Sequence, residues 1–109
     1  MGLGKDHFEI LVALADRDRH GYSILQDIAA RTGGEVRLSP STLYSAIRRL
    51  LEDGLIEELD ERPDPAHDDE RRRYYRLTSH GRKIAMGEAR RLERLLADAR
   101  ATGLLPKRS

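Results

Sequence analysis

Apolar residues recur at helical spacing over four stretches of the chain and alternate with polar ones only in short runs, so the pattern predicts helices first. "KDHFEILVALADRD" sets Phe8, Leu11, Val12 and Ala15 at helical spacing, with Ile10 and Leu14 widening the stripe, and a polar turn "DRDRHG" follows. "GYSILQDIAARTGG" repeats the pattern with Leu25, Ile28 and Ala29, and the paired Gly33 and Gly34 supply left-handed conformations that end a helix. "EVRL" is short and β-branched, enough for one edge strand. Ser39 can then cap a third helix, with Pro40 at its first position, where the missing N–H costs nothing; this helix runs to about Glu52. "LIEELDE" and "RRYYRLT" are strand-like and flank a loop holding Pro63 and Pro65, which predicts a hairpin with a long connection. After Thr78, a possible cap, "HGRKIAMGEARRLERLLADARATG" is a long helix ended by Gly103 and Pro106, and "PKRS" reads as a disordered tail.

The predicted class is mainly α with a small β hairpin, in the order helix, helix, strand, helix, hairpin, helix. A length of 109 residues is that of one domain, and 39% apolar with 36% charged residues indicates a small folded core rather than a disordered chain. The absence of cysteine excludes disulfides, Cys-ligated zinc and thiol catalysis, and fits a reducing cytoplasm. No apolar run approaches the roughly 20 residues that span a bilayer, and "MGLGKDHFEI" is too polar for a signal peptide, so a cytoplasmic protein without membrane contact is expected. Seventeen arginines against three lysines fit a GC-rich genome better than a function. The net charge is only +1, but its distribution is uneven. Val36 to Leu51 holds three arginines and no acid, Arg71 to Leu77 four arginines and no acid, while Glu52 to Glu70 holds ten acids against one arginine.

The third helix has two faces. At about 100° per residue, Leu43, Ala46, Ile47 and Leu50 cluster on one side and Ser41, Tyr44, Ser45 and Arg48 on the other, flanked by Thr42 and Arg49. Packed by its apolar side, such a helix offers small hydroxyls, one aromatic ring and two guanidiniums. Double-stranded DNA suits that surface: the major groove admits one helix, Arg can make two hydrogen bonds to guanine, and Ser and Thr bond to phosphates. Ser39 at the cap and Tyr22 at the start of the second helix extend the candidate surface.

Three helices followed by a hairpin is the winged helix-turn-helix order, and specific stretches resemble the PadR family of bacterial transcriptional regulators. "HGYSILQDI" resembles the family's second helix, "STLYSAIRRLLEDGLIEE" its recognition helix and turn into the wing, and "RRRYYRLTSHGRK" its second wing strand and the start of the last helix. The resemblance spans roughly Phe8 to Leu96. It implies a homodimeric DNA-binding repressor, often released by a small-molecule effector. The single helix after the wing resembles the short subfamily, in which that helix mainly makes the dimer. With no tryptophan in the chain, an indole-lined pocket for flat aromatic drugs is not supported. The wing departs from the family pattern: "ERPDPAHDDERRR" carries acids and prolines where basic residues and a glycine are common. An acidic tip would meet phosphate repulsion, so Arg71, Arg72 and Arg73 at the exit are expected to make the backbone contacts.

On the last helix Ile84, Ala85, Ala89, Leu92, Leu95, Leu96 and Ala99 form one apolar stripe that needs a partner, and a two-fold dimer is the commonest solution. The expected organisation is a DNA-binding domain over 1–79 and a dimerisation helix with tail over 80–109, on a palindromic operator. No catalytic or cofactor motif occurs. G-x-S-x-G, H-E-x-x-H, G-x-G-x-x-G and P-loop patterns are missing, and His7, His20 and His80 are scattered. His67 with Asp68, Asp69 and Glu70 lacks metal-site spacing, so no metal is expected. Tyr22, Tyr74 and Tyr75 read as core or half-buried packing residues, although Tyr22 at the start of the second helix could reach a phosphate. An alternative function is a winged-helix adaptor that binds a protein partner without reading DNA, a role that gives no reason to keep the Arg48 and Arg49 face cationic.

Overall fold

The computed structural model describes residues 3–59 and 73–107. Its elements are α1 (Lys5–Asp16), β1 (Arg19–His20), α2 (Gly21–Arg31), α3 (Pro40–Glu52), β2 (Ile56–Leu59), β3 (Tyr74–Leu77) and α4 (Ser79–Ala101). Three helix starts are fixed by side chains. His20 Nδ1 accepts from the Ser23 N–H at 3.1 Å, Ser39 Oγ from Thr42 N–H at 3.1 Å, and Thr78 Oγ1 from Gly81 N–H at 2.9 Å. Each satisfies a backbone donor that a helix start leaves open. Gly33 and Gly34 end α2 at φ of 62° and 84°, in the left-handed region expected from the pair.

The three strands form an antiparallel sheet in the order β1-β3-β2, with Arg19 opposite Tyr75 and Glu58 opposite Tyr75 across the other edge. This corrects the strand expected at "EVRL". Residues 36–38 pair with no strand; Val36 N–H donates to Thr32 Oγ1 at 3.0 Å, and Val36 and Leu38 lie half-buried against the core. The third strand falls instead within "DRDRHG", which the pattern assigns to a turn. A guanidinium explains it. Arg19 donates to Ala13 O at 3.0 Å, Ser23 Oγ at 3.0 Å, Asp16 at 2.9 Å and Asp27 at 3.1 Å, clamping the end of α1 to α2 and laying β1 along β3.

The core combines Ile10, Leu11 and Leu14 of α1, Ile24 and Ile28 of α2, Leu43, Ile47 and Leu50 of α3, and Leu55, Ile56, Tyr75 and Leu77 of the hairpin. On α1 the buried face is therefore rotated from the expected stripe: Phe8 and Val12 are half-buried and Ala15 is exposed. Leu25 and Ala29 of α2 are likewise half-buried, Ile24 taking the inner position. At the hairpin base, Thr78 N–H donates to Leu55 O at 3.1 Å and its hydroxyl to Gly54 O at 2.7 Å, which ties the turn after α3 to the start of α4.

The last helix leaves the body. Gly81 is its one buried residue, pressed against the Leu55 carbonyl, and the molecule extends 51 × 28 × 25 Å with a radius of gyration of 15.8 Å. A compact chain of this size has a radius near 13 Å. The difference is the length of α4 that runs past its own core.

Candidate nucleic-acid interface

The two faces of α3 stand as the pattern divides them. Leu43, Ala46, Ile47 and Leu50 of α3 are buried, and Ser41, Thr42, Tyr44, Ser45, Arg48 and Arg49 are exposed. Their chemical states differ. Arg48 has no carboxylate partner among the described residues, whereas Arg49 Nε donates to Asp53 at 3.3 Å, a helical pair exposed on both sides that a stronger anion can displace. Ser39 and Thr42 are tied to each other, Ser39 Oγ donating to Thr42 Oγ1 at 3.0 Å while it caps the helix. Ser41 and Ser45 are exposed. Tyr22, on the first turn of α2, is 59% exposed on a helix whose N-terminal N–H groups favour an anion.

Tyr44 is 47% exposed and lies against α2. A β-carbon on Gly21 would fall 2.5 Å from the Tyr44 hydroxyl, so the absence of a side chain at Gly21 is what lets the ring cross the start of α2. His20 holds the same turn from the other side, edge-on to the Tyr74 ring at a centroid distance of 5.3 Å. These contacts set the spacing of the two helices that a helix-turn-helix places on DNA.

An open cleft of about 330 Å³ separates α3 from the hairpin and is lined by Tyr44, Ile47, Arg48, Leu51, Glu58, Arg73 and Tyr75. On its hairpin side Arg73 Nη1 donates to Glu58 Oε1 at 3.2 Å. Burial above all, helped by the Glu58 carboxylate and Tyr44 and opposed by Arg73, pushes the Tyr75 phenol above its usual pKa, so the hydroxyl stays a donor. On the outer face of the sheet Arg76 donates from two nitrogens to Asp18 at 3.3 and 3.2 Å, bracing β3 against the segment before β1. Of the expected wing contacts only Arg73 lies within the described residues; Arg71, Arg72 and the acidic run with His67, Asp68, Asp69 and Glu70 lie outside them.

The stripe on α4 is largely uncovered by the chain itself. Leu95 and Leu96 are 50% and 47% exposed, Ile84 and Ala89 are exposed, and Ala85, Leu92 and Ala99 are half-buried. The same side faces the half-buried Phe8 and Val12 of α1 across an open groove whose lining includes Leu3 and Leu92. The sequence pattern sets Phe8 and Val12 on one stripe with Leu11 and Ala15, widened by Ile10 and Leu14; the helical offset of Phe8 and Val12 from Ile10 and Leu14 is the available sign of a second apolar face. Arg19, also missed, had only the alternating charges of "DRDRHG" to mark it. Among the described residues no cluster of acids and histidines could hold a metal ion, and no helix is long and apolar enough to cross a membrane.

Comparison with known proteins places this geometry. The model of the transcriptional regulator PadR-like family matches residues 10–86. An uncharacterised protein of Lysinibacillus sphaericus is 36% identical over 73 residues, covering 67% of this chain and 64% of its own length. The chain thus spans less than two thirds of the curated relatives it matches. Among solved structures, a transcriptional regulator from Clostridium thermocellum superposes with a TM-score of 0.68 at 28% identity, over 93% of this chain and 92% of that one. A PadR family transcription regulator from Clostridium difficile shares the fold with a TM-score of 0.73 at 24% identity, over 94% and 100% of the two chains.

Proposed function

The chain belongs to the transcriptional regulator PadR-like family, and from that premise we propose that it is a DNA-binding repressor, acting as a homodimer on a palindromic operator in the cytoplasm and released by a small molecule. The observation that carries the reading is the α3 face, where Arg48, with no carboxylate partner among the described residues, stands beside exposed Ser41, Tyr44 and Ser45 on a helix anchored by four buried residues. In this reading α3 enters the major groove, Arg48 meets a guanine edge, and Ser41, Thr42 and Ser45 approach bases and phosphates closely. Ser39, Tyr22 and Arg49 touch the flanking backbone, with Arg71, Arg72 and Arg73 gripping it at the exit of the wing.

Residues 1–79 form the DNA-binding unit and residues 80–109 the dimerisation helix and tail. The exposed Leu95 and Leu96, and the groove between α1 and α4, favour a second copy over a stripe folded back on its own domain. A two-fold axis along that seam would present two copies of α3 to half-sites about one turn, roughly 34 Å, apart. Members of the family are transcriptional regulators, and no catalytic reaction is assigned to the chain. Selection of bound duplexes from a random pool tests the reading. A palindrome with half-sites one turn apart should be enriched; recovery of unrelated sequences at background frequency would remove sequence-specific repression.

A further inference from the structure

We propose that the cleft between α3 and the β2–β3 hairpin is a phosphate site, in which the hydroxyls of Tyr75 and Tyr44 and the guanidinium of Arg73 close on one backbone phosphate of the bound duplex beside the base-reading Arg48, Glu58 holding Arg73 until that phosphate displaces it. The assignment rests on the DNA-binding reading above and adds residues that the α3 pattern does not contain.

Tyr75 is the starting point. Only 3% of it is exposed, and its hydroxyl makes no hydrogen bond with any described residue. Yet every fully buried side-chain polar atom among the described residues has a partner, so the small exposed part of Tyr75 must include its hydroxyl, and the cleft is the opening it lines. A buried tyrosine normally satisfies its hydroxyl, and a phenylalanine would fill the same core position without leaving a donor idle. The hydroxyl is a donor open to the cleft.

The chemistry of the walls identifies the ligand class. Ile47 and Leu51 form an apolar floor, and the polar groups around it are two phenols and two guanidiniums against a single carboxylate. A cation would meet two positive charges, and an apolar ligand would leave the polar groups of the walls without a partner in it. An oxyanion accepts from the two phenols and from Arg73, and arginine and phosphate match with two parallel hydrogen bonds. The cleft also adjoins Arg48 on the face proposed to enter the groove, and about 330 Å³ is room for a phosphodiester with part of its sugar.

Glu58 fits the role of a displaceable partner. It sits directly opposite Tyr75 on the core-facing side of the hairpin, where an apolar residue would be expected, and its bond to Arg73 at 3.2 Å is solvent-exposed on both sides. Such a pair is weak in water and yields to a phosphate. The carboxylate therefore keeps Arg73 in place without DNA and lowers affinity for DNA.

The test uses Tyr75→Phe and Glu58→Gln in the full chain, each titrated with the selected duplex and a scrambled one. Tyr75→Phe removes one oxygen and should weaken binding about tenfold on both duplexes alike, because a charge-assisted hydrogen bond is lost and a backbone contact carries no sequence information. Glu58→Gln should tighten both by about threefold. Unchanged affinity in Tyr75→Phe overturns the phosphate site while leaving DNA binding intact. Should Tyr75→Phe fail to fold, Glu58→Gln decides, and unchanged or weaker binding rejects the site. A wild-type protein that binds neither duplex removes the DNA-binding reading and this site with it.

Discussion

Arg19 and Gly81 hold the frame on which the exposed face of α3 depends, and each makes a separable prediction. The Arg19 side chain is 12% exposed and bonds to both α1 and α2, with Asp27 at 16% exposure shared between it and Arg31. Arg19→Ala should lower stability by about 2–3 kcal/mol, seen as a shift of the urea midpoint, since Asp16 and Asp27 lose a common partner and Ala13 O loses its donor. Arg19→Lys should recover only a minor part, because one ammonium cannot span four acceptors on two helices. At Gly81 a β-carbon would run into the Leu55 carbonyl oxygen, a backbone atom that cannot rotate away. Gly81→Ala should therefore cost about 1–3 kcal/mol through displacement of α4 from the hairpin base, against the small gain that alanine brings to an unconstrained helix. A thermal midpoint equal to that of the wild type would show that α4 is not seated there.

The individual elements differ in how far they could be foreseen. The limits of α3 are legible to the residue, because its determinants are local: a serine cap, a proline at the first position and an Asp-Gly stop. The same holds for the two faces of that helix. The β1 strand was not legible, since two residues acquire strand geometry only through pairing with β3, while "EVRL" has the right side chains and no neighbour. The α1 stripe was ambiguous for another reason. It carries apolar residues on two faces, and local spacing does not say which meets the core and which meets α4. Within the candidate site, the helix half was readable and the Tyr75–Glu58 half was not, because it depends on hairpin register. The α4 stripe leads to the element-scale prediction. In the proposed dimer, Leu92→Glu combined with Leu95→Glu places four carboxylates in one apolar seam and should give monomers by light scattering. An unchanged dimer would move the interface elsewhere, and operator affinity should fall with dimer loss, as two half-sites no longer act together.

At the scale of the whole molecule, a small core carries a projecting helix with an uncovered apolar side at one end and a cationic helix face at another, the arrangement a two-fold DNA reader requires. The net charge of +1 means that attraction to DNA depends on local arginines rather than on the overall field. Affinity should consequently fall steeply with salt, by about one unit of slope for each phosphate contact, and the slope should shrink when Arg73 is removed. The most direct measurement is a titration of wild type and Arg48→Ala against the selected palindrome and its scrambled counterpart across a salt series. Wild type should prefer the palindrome at every salt concentration, and Arg48→Ala should lose about 1–3 kcal/mol on the palindrome and much less on the scrambled duplex. Equal, weak binding of both duplexes by the wild-type protein would contradict the assignment of α3 as a reader of DNA sequence.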